Sequence, residues 1–504
     1  MPFADLPEDV LRLVFTTHFA GDIRTLAFLA TLSKRLNQIT TPILYSHVSL
    51  FLEDKDKSRK VRRFIMSVFS RPQLAQCVRS LEINTLFWIS HQSLAQRRRE
   101  LVTRMMTGDI LGRPDRLDMF KLMTVVRRLP LLDKHKRHWC SELQEFDPSL
   151  DSLIALLFVV LPSIEHLECN WSSDALFIWH MLPRTDRSKL DPSPLPLILR
   201  NMTHLKVNSE FPCGDSSEIL PFLQMPSLTH LFGSNWGPIR RDGWDDSIED
   251  EVEGLEGDGE TESQVLHLEL RHCSIDLYSL QAILMRCRSM RTFIFHRDWD
   301  PRFNVRLPAF SITRALHPHW NTIKNIALSF EPGIYVHQEG EIYPLNFSQF
   351  SALTKLHVAA GYIIHDPEDF DIPDPSEVCD TGNELQHYIN IPLHDRLPES
   401  LEVLRVTGFS TPQQMRLLID DCCRLLQRRS QFTRLRELCI EAPFEDPYAT
   451  FGLKTLQREA HRADVLLRKI DNTELYLGDE DDLLTSAGND WGMNGEFRWD
   501  TKLF

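Results

Sequence analysis

Apolar positions along this chain follow two rhythms. In the first fifty residues they recur every three or four positions. Val10, Leu11, Val14 and Phe15 form one series; Ile23, Leu26, Leu29, Ala30, Leu32, Leu36 and Ile39 form a second. Such spacing lays an apolar stripe along a helix. The first helix carries its start signals. Asp5 is placed to act as N-cap, Pro7 sits where a missing N–H costs nothing, and Glu8 and Asp9 favour the positive end of the helix dipole. The second series is expected to end near Thr40-Thr41-Pro42. Helices this short cannot bury a large core alone, so this stretch is expected to have a partner.

Further on, the rhythm becomes a window of the form apolar-x-x-apolar-x-apolar. It reads Val78-Leu81-Ile83, Ile164-Leu167-Cys169, Met202-Leu205-Val207, Leu228-Leu231-Gly233 and Val265-Leu268-Leu270. It continues as Met290-Phe293-Phe295, Ile323-Ile326-Leu328, Leu353-Leu356-Val358, Leu401-Leu404-Val406 and Leu435-Leu438-Ile440. The last four positions of each window alternate, as strand residues do. Helical segments fall between windows: 148–161 with Asp147 as cap, 279–287, and 412–428 with Thr411 as cap. A final helix is expected over 451–470, with Leu453, Leu456, Ala460, Ala463, Leu466 and Leu467 on one side.

The alternation of strand and helix predicts an α/β solenoid with parallel strands on its concave face. It resembles a leucine-rich-repeat array of irregular, degenerate form. The N-terminal stretch resembles an F-box through Leu6-Pro7-Glu8 with Val10-Leu11 and Val14-Phe15, Leu26 and Leu29, Leu32-Ser33-Lys34-Arg35-Leu36, and Pro42-Ile43-Leu44-Tyr45. Tyr45 stands where many F-boxes carry Trp. Repeat arrays often follow an F-box. The resemblance implies a non-catalytic substrate-recognition subunit of a ubiquitin ligase. The box would bind a Skp-type adaptor, and through it a cullin, with Leu6, Pro7, Val10, Leu11, Val14, Leu44 and Tyr45. The repeats would bind a protein target. The rival expectation is a scaffolding repeat protein with an F-box remnant.

The expected organisation is an F-box at 1–50, a helical linker and first repeat region at 51–160, a repeat solenoid at 161–450, and a C-terminal helix and tail at 451–504. Two acidic stretches, 240–263 and 365–384, read as surface loops. The stretch 91–140 is basic.

Composition narrows the function. With 42% hydrophobic and 25% charged residues the chain is an ordinary globular mixture. A formal net charge of -15 argues against non-specific nucleic-acid binding, which needs a basic footprint. The longest apolar run, Leu153 to Leu161, is far below the roughly 20 residues that span a bilayer. The N-terminus lacks the basic and apolar regions of a signal peptide. Ten scattered cysteines without a C-x-x-C pair suit reduced thiols. A cytoplasmic or nuclear protein is therefore expected, with no membrane partner.

Chemistry is sparse. There is no phosphate loop, G-x-G-x-x-G, H-E-x-x-H or G-x-S-x-G. His135, His138 and Cys140 lack a fourth ligand at useful spacing. No catalytic residue, metal or cofactor is expected. One column stands apart: His166, His204, His230 and His267 precede the second apolar position of four successive windows. Parallel neighbours about 4.8 Å apart would align them on one face. Exposed together there, His204, His230, Phe232, His267, Glu269 and Arg271 are the expected target-binding residues, with Leu167, Leu205, Leu231 and Leu268 buried beneath.

Overall fold

The computed structural model describes residues 6–19, 21–52, 57–84, 116–145, 148–171, 176–179, 181–182, 198–209, 214–239, 263–297, 309–330, 345–364, 391–409, 411–442 and 447–471. The acidic stretches at 240–262 and 365–384, residues 91–115 of the basic stretch, the expected caps Asp5 and Asp147, and the tail from 472 onward lie outside them. The described residues form two compact units, one ending at Met290 and the other starting at Arg291.

The first unit opens with three helices, α1 (Glu8–His18), α2 (Ile23–Leu32) and α3 (Lys34–Ser46). They enclose a small core of Leu11, Phe15, Leu26, Leu36 and Ile39. Asp22 caps α2 by accepting from the Thr25 N–H, and Ser33 caps α3 by accepting from Leu36. Pro42 does not end α3, as its position suggested; the helix runs through it to Ser46. Ile43 and Leu44 beyond the proline pack against the core, which offsets the one backbone hydrogen bond that proline removes.

Strand β1 (His47–Phe51) follows α3 directly. Helices α4 (Lys57–Ser70) and α5 (Pro72–Cys77) lead to β2 (Ser80–Asn84), and α6 (Arg116–Arg128), α7 (Asp133–Gln144) and α8 (Leu150–Val160) lead to β3 (His166–Trp171). Then come β4 (His204–Ser209), β5 (His230–Ser234), β6 (His267–Cys273) and α9 (Leu277–Leu284). The six strands pair in chain order, all parallel. A repeated carbonyl contact locks the register. Arg79 O accepts from the N–H groups of Glu165 and His166, at 2.7 and 3.0 Å. Glu165 O accepts likewise from Thr203 and His204, Thr203 O from Thr229 and His230, and Thr229 O from Leu266 and His267. Each step thereby hydrogen-bonds two donors that would otherwise be buried or strained.

Below the sheet lie the window residues. Leu81, Ile83, Leu167, Leu205, Val207, Leu231, Leu268 and Leu270 are all buried. The apolar run at 153–161 is the interior of α8 and the turn after it. Asp151 on the same helix is buried and accepts from the N–H groups of Phe177 and Ile178, at 2.7 and 3.3 Å; desolvation raises its carboxyl to about 7 against those bonds. Gly233 takes a core position in its window. A side chain there would collide with Trp236, whose buried indole fills the space and donates to Val207 O at 3.4 Å.

The second unit repeats the plan with β7 (Thr292–Arg297), α10 (Ala309–Ala315), β8 (Asn325–Phe330), β9 (Lys355–Ala359), β10 (Val403–Thr407), α11 (Pro412–Gln427), β11 (Glu437–Ala442), α12 (Pro447–Arg462) and β12 (Leu466–Asp471). Its six strands are also parallel and in chain order. Thr411 caps α11 by accepting from Gln414. The last helix stops at Arg462, and Leu466 and Leu467 belong to β12, not to that helix. Asp464 at φ 53 makes the turn, after which Leu466 N donates to Arg436 O and the chain joins the sheet. Among the described residues, no helix is long and apolar enough to cross a membrane.

Candidate functional site

The alternation along β3 to β6 sends every second side chain away from the core. The register then sets His166 opposite His204, His204 opposite His230, and His230 opposite His267. The rings stack. Their centroids lie 4.4 Å apart for His166 and His204, 4.1 Å for His204 and His230, and 5.5 Å for His230 and His267, with interplanar angles of 28°, 8° and 28°. Thr203 Oγ1 lies 2.9 Å from Nδ1 of His204, and Thr229 Oγ1 the same distance from Nδ1 of His230. His166 is exposed and the other three are half-buried.

Burial, and then the neighbouring histidines, lower the two central imidazoles, His230 to about 4. These rings are neutral at pH 7. Beside them Phe232 tilts against His267 at 5.1 Å. Glu269 departs from expectation: it is buried, 7% exposed, and not part of the open surface. Its carboxylate accepts from Arg271 Nε and from His267 Nε2, the latter at 3.3 Å. Burial pushes that carboxyl upward, but the His267 hydrogen bond and the Arg271 charge outweigh it and hold the group below its ordinary value. The alternation put Glu269 on the right face; Arg271 and His267, which close over it, come from the same strand.

The structure brings together His204, His230, Phe232, His267 and Arg271 on one face, with Glu269 under them. The same alternation carries Glu168, Lys206, Asn170, Asn208 and Ser234 beside them. Lys206 pairs with Glu168 at 2.6 Å, Asn208 donates to Asn170 at 3.4 Å, and Ser234 donates to Asn208 at 2.7 Å. The first row also extends to Ser80 and His47, 2.8 Å apart. A signal for that strand exists: Tyr45-x-x-Val48-x-Leu50 repeats the window but overlaps the N-terminal helical pattern. In the second unit the matching face is more closed, with Ile294, His296 and His357 all buried.

The N-terminal helices hold the second candidate surface. Of the seven expected contact residues, Leu11 is fully buried and supports α1 from within. Leu6, Val14 and Leu44 pack partly against the same core, Tyr45 is half-buried, and Pro7 and Val10 are exposed. Four apolar side chains outside that set are exposed, as Val10 is: Leu13, Ile23, Phe28 and Leu32, with Leu13 62% and Phe28 63% exposed. Ile23 and Leu32 belong to the apolar series of α2, yet only Leu26 of that series is fully buried in α2. His138 and Cys140 on α7 serve packing: His138 stacks on Phe177 at 5.2 Å and Cys140 is buried. Among the described residues, no group of three or more His, Cys, Asp or Glu could hold a metal ion.

No protein-family model matches this chain, and no curated protein matches it.

Proposed function

We propose that this chain is the substrate-recognition subunit of a Skp-cullin-F-box ubiquitin ligase, acting in the cytoplasm or nucleus. One observation carries the reading. A three-helix element has already filled its own core, and it still exposes Val10, Leu13, Ile23, Phe28 and Leu32. Apolar side chains so concentrated mark an interaction surface. The F-box resemblance assigns a Skp-type adaptor to it. The windows, each a strand in a parallel ladder, support a degenerate leucine-rich-repeat solenoid as the target-binding part. Such a subunit needs no catalytic group of its own. It raises the effective concentration of the target at an enzyme assembled beside it.

The test is adaptor capture by the full chain. Burying one such side chain is worth about 1.5–3 kcal/mol. The double variant Leu13→Ala, Phe28→Ala is therefore expected to weaken adaptor binding by at least about a hundredfold, with an unchanged circular dichroism spectrum. Equal capture of variant and wild type would leave the scaffolding alternative in its place.

The target face has its own expected result. Arg and aromatic residues dominate interface energetics. Replacing Phe232 and Arg271 by Ala is expected to lower ubiquitination of captured targets while adaptor capture stays the same. A loss of both activities would mean that the sheet, not a binding surface, had been damaged.

A further inference from the structure

The imidazole column has a property that target binding alone does not require. Every carboxylate among the described residues of this face is engaged away from the two central rings. Glu82 accepts from Ser49 and lies 3.9 Å from His47; Glu165 pairs with Arg79 at 2.5 Å and Glu168 with Lys206; Glu269 holds His267 and Arg271. Strand β5 adds only Phe232 and Ser234 beside its own histidine. His166, His204 and His230 form no ion pair among the described residues, so a proton arriving at the two central rings meets only other imidazoles and the Thr203 and Thr229 hydroxyls.

We propose that the column is a proton-operated latch across β3, β4, β5 and β6, closed while its imidazoles are neutral and opened by acid. Neutral rings at these separations stack favourably and shield one another from water. Charged rings at the same separations repel, with no counter-charge between them and half their surface withdrawn from solvent. The favourable response to protonation is to unstack and swing the rings outward. Phe232 and His267, in contact with the end of the stack, would move with them. The sign of the linkage follows. His204 and His230 are depressed in the folded state, so their contribution to stability is complete above the ordinary value of 6.5 and is lost as pH falls, for His230 through about 4. A consequence for target release at low pH rests on reading this face as the target surface; the latch itself does not.

The experiment is a pH titration of the full chain carrying histidine labelled with ¹³C at Cε1, followed from pH 8 to about 3 together with the backbone amides of β4 and β5. A residue-specific readout is needed because Asp151 acts oppositely on global stability. Its raised carboxyl contributes below the unfolded value of 3.8 and loses that contribution as pH rises through about 7. The expected result is that His204 titrates below 6.5 and His230 at about 4. Amide shifts of Leu205 to Asn208 and Leu231 to Gly233 should change with the same midpoint. His204→Gln removes one like charge from the stack and should raise the His230 midpoint by a measurable fraction of a pH unit. Thr229→Val, which keeps the ring neighbours, should leave the coupling between the two rings in place. Titration of both rings at 6.5, or a His230 midpoint indifferent to His204→Gln, would overturn the proposal. So would low midpoints with amides that do not respond, since the stack would then stay closed when charged. None of these outcomes depends on the adaptor or the target.

Discussion

Replacing Arg396 by Met is expected to destabilise the second unit by about 3–5 kcal/mol, the range for stranding buried polar groups whose charged partner is removed. Arg396 is 4% exposed, and its guanidinium is used entirely on backbone. Nε donates to Ile391 O at 3.0 Å, Nη2 to Ile363 O at 2.8 Å and Nη1 to Leu345 O at 3.5 Å, while its own carbonyl accepts from Phe347 N–H at 2.7 Å. One side chain thus ties its own segment to both ends of the segment 345–364. Burial pushes the guanidinium down to about 10, which leaves it charged at neutral pH. Met fills similar volume and satisfies none of the three carbonyls. Lys supplies a charge but not the planar fork, so Arg396→Lys should recover only part of the loss. Urea unfolding followed by tryptophan fluorescence is the check, with a lower midpoint and an unchanged slope expected. A Met variant within about 0.5 kcal/mol of wild type, the usual size of a surface substitution, would show that the carbonyls find other donors.

The other large effect concerns Trp236 and Gly233 as a pair. Trp236→Ala should cost about 3–5 kcal/mol, as for other buried aromatic truncations. Gly233→Leu alone should also destabilise, by about 1–3 kcal/mol, because its first side-chain carbon would meet the Trp236 indole at 3.1 Å and Leu270 at 3.2 Å. Combined, the two changes should be less harmful than their sum, since the leucine occupies the hole that the indole leaves. A double-mutant cycle with coupling of about 1 kcal/mol or more is the expected measurement. Strict additivity would mean that the two side chains do not share one space.

Much of this architecture was legible in the residues. All ten windows are parallel strands, and the first, second and last positions of each are buried, including Gly233, where Trp236 fills the space of the missing side chain. The signal was strong because one position in a strand commits its neighbours: a period of two leaves half the side chains on the core face. Helices α8, α9 and α11 lie where apolar periodicity set them, with Thr411 capping α11 as expected; Ser149, not Asp147, caps α8, and α9 starts two residues early, at Leu277 behind Asp276. Strand β12 was hidden because Leu466-Leu467 fits a helical stripe as well as a strand, and only the turn at Asp464 separates the two.

The site was less legible. Sequence alone determined that four histidines occupy equivalent strand positions, that the leucines beside them face the core, and that the N-terminal helices carry more apolar residues than they can bury. Tertiary structure decided the rest. It placed Leu11 inside and Leu13, Ile23 and Phe28 outside, because which part of a broad apolar stripe is covered depends on the crossing of three helices. It closed Arg271 and His267 over Glu269, and it brought the imidazoles to 4.1–5.5 Å with no carboxylate among the described residues paired to His204 or His230. Periodicity specifies a face; burial, ring separation and charge pairing on that face are set by how the fold packs those residues, along one strand at Glu269 and between strands in the imidazole stack.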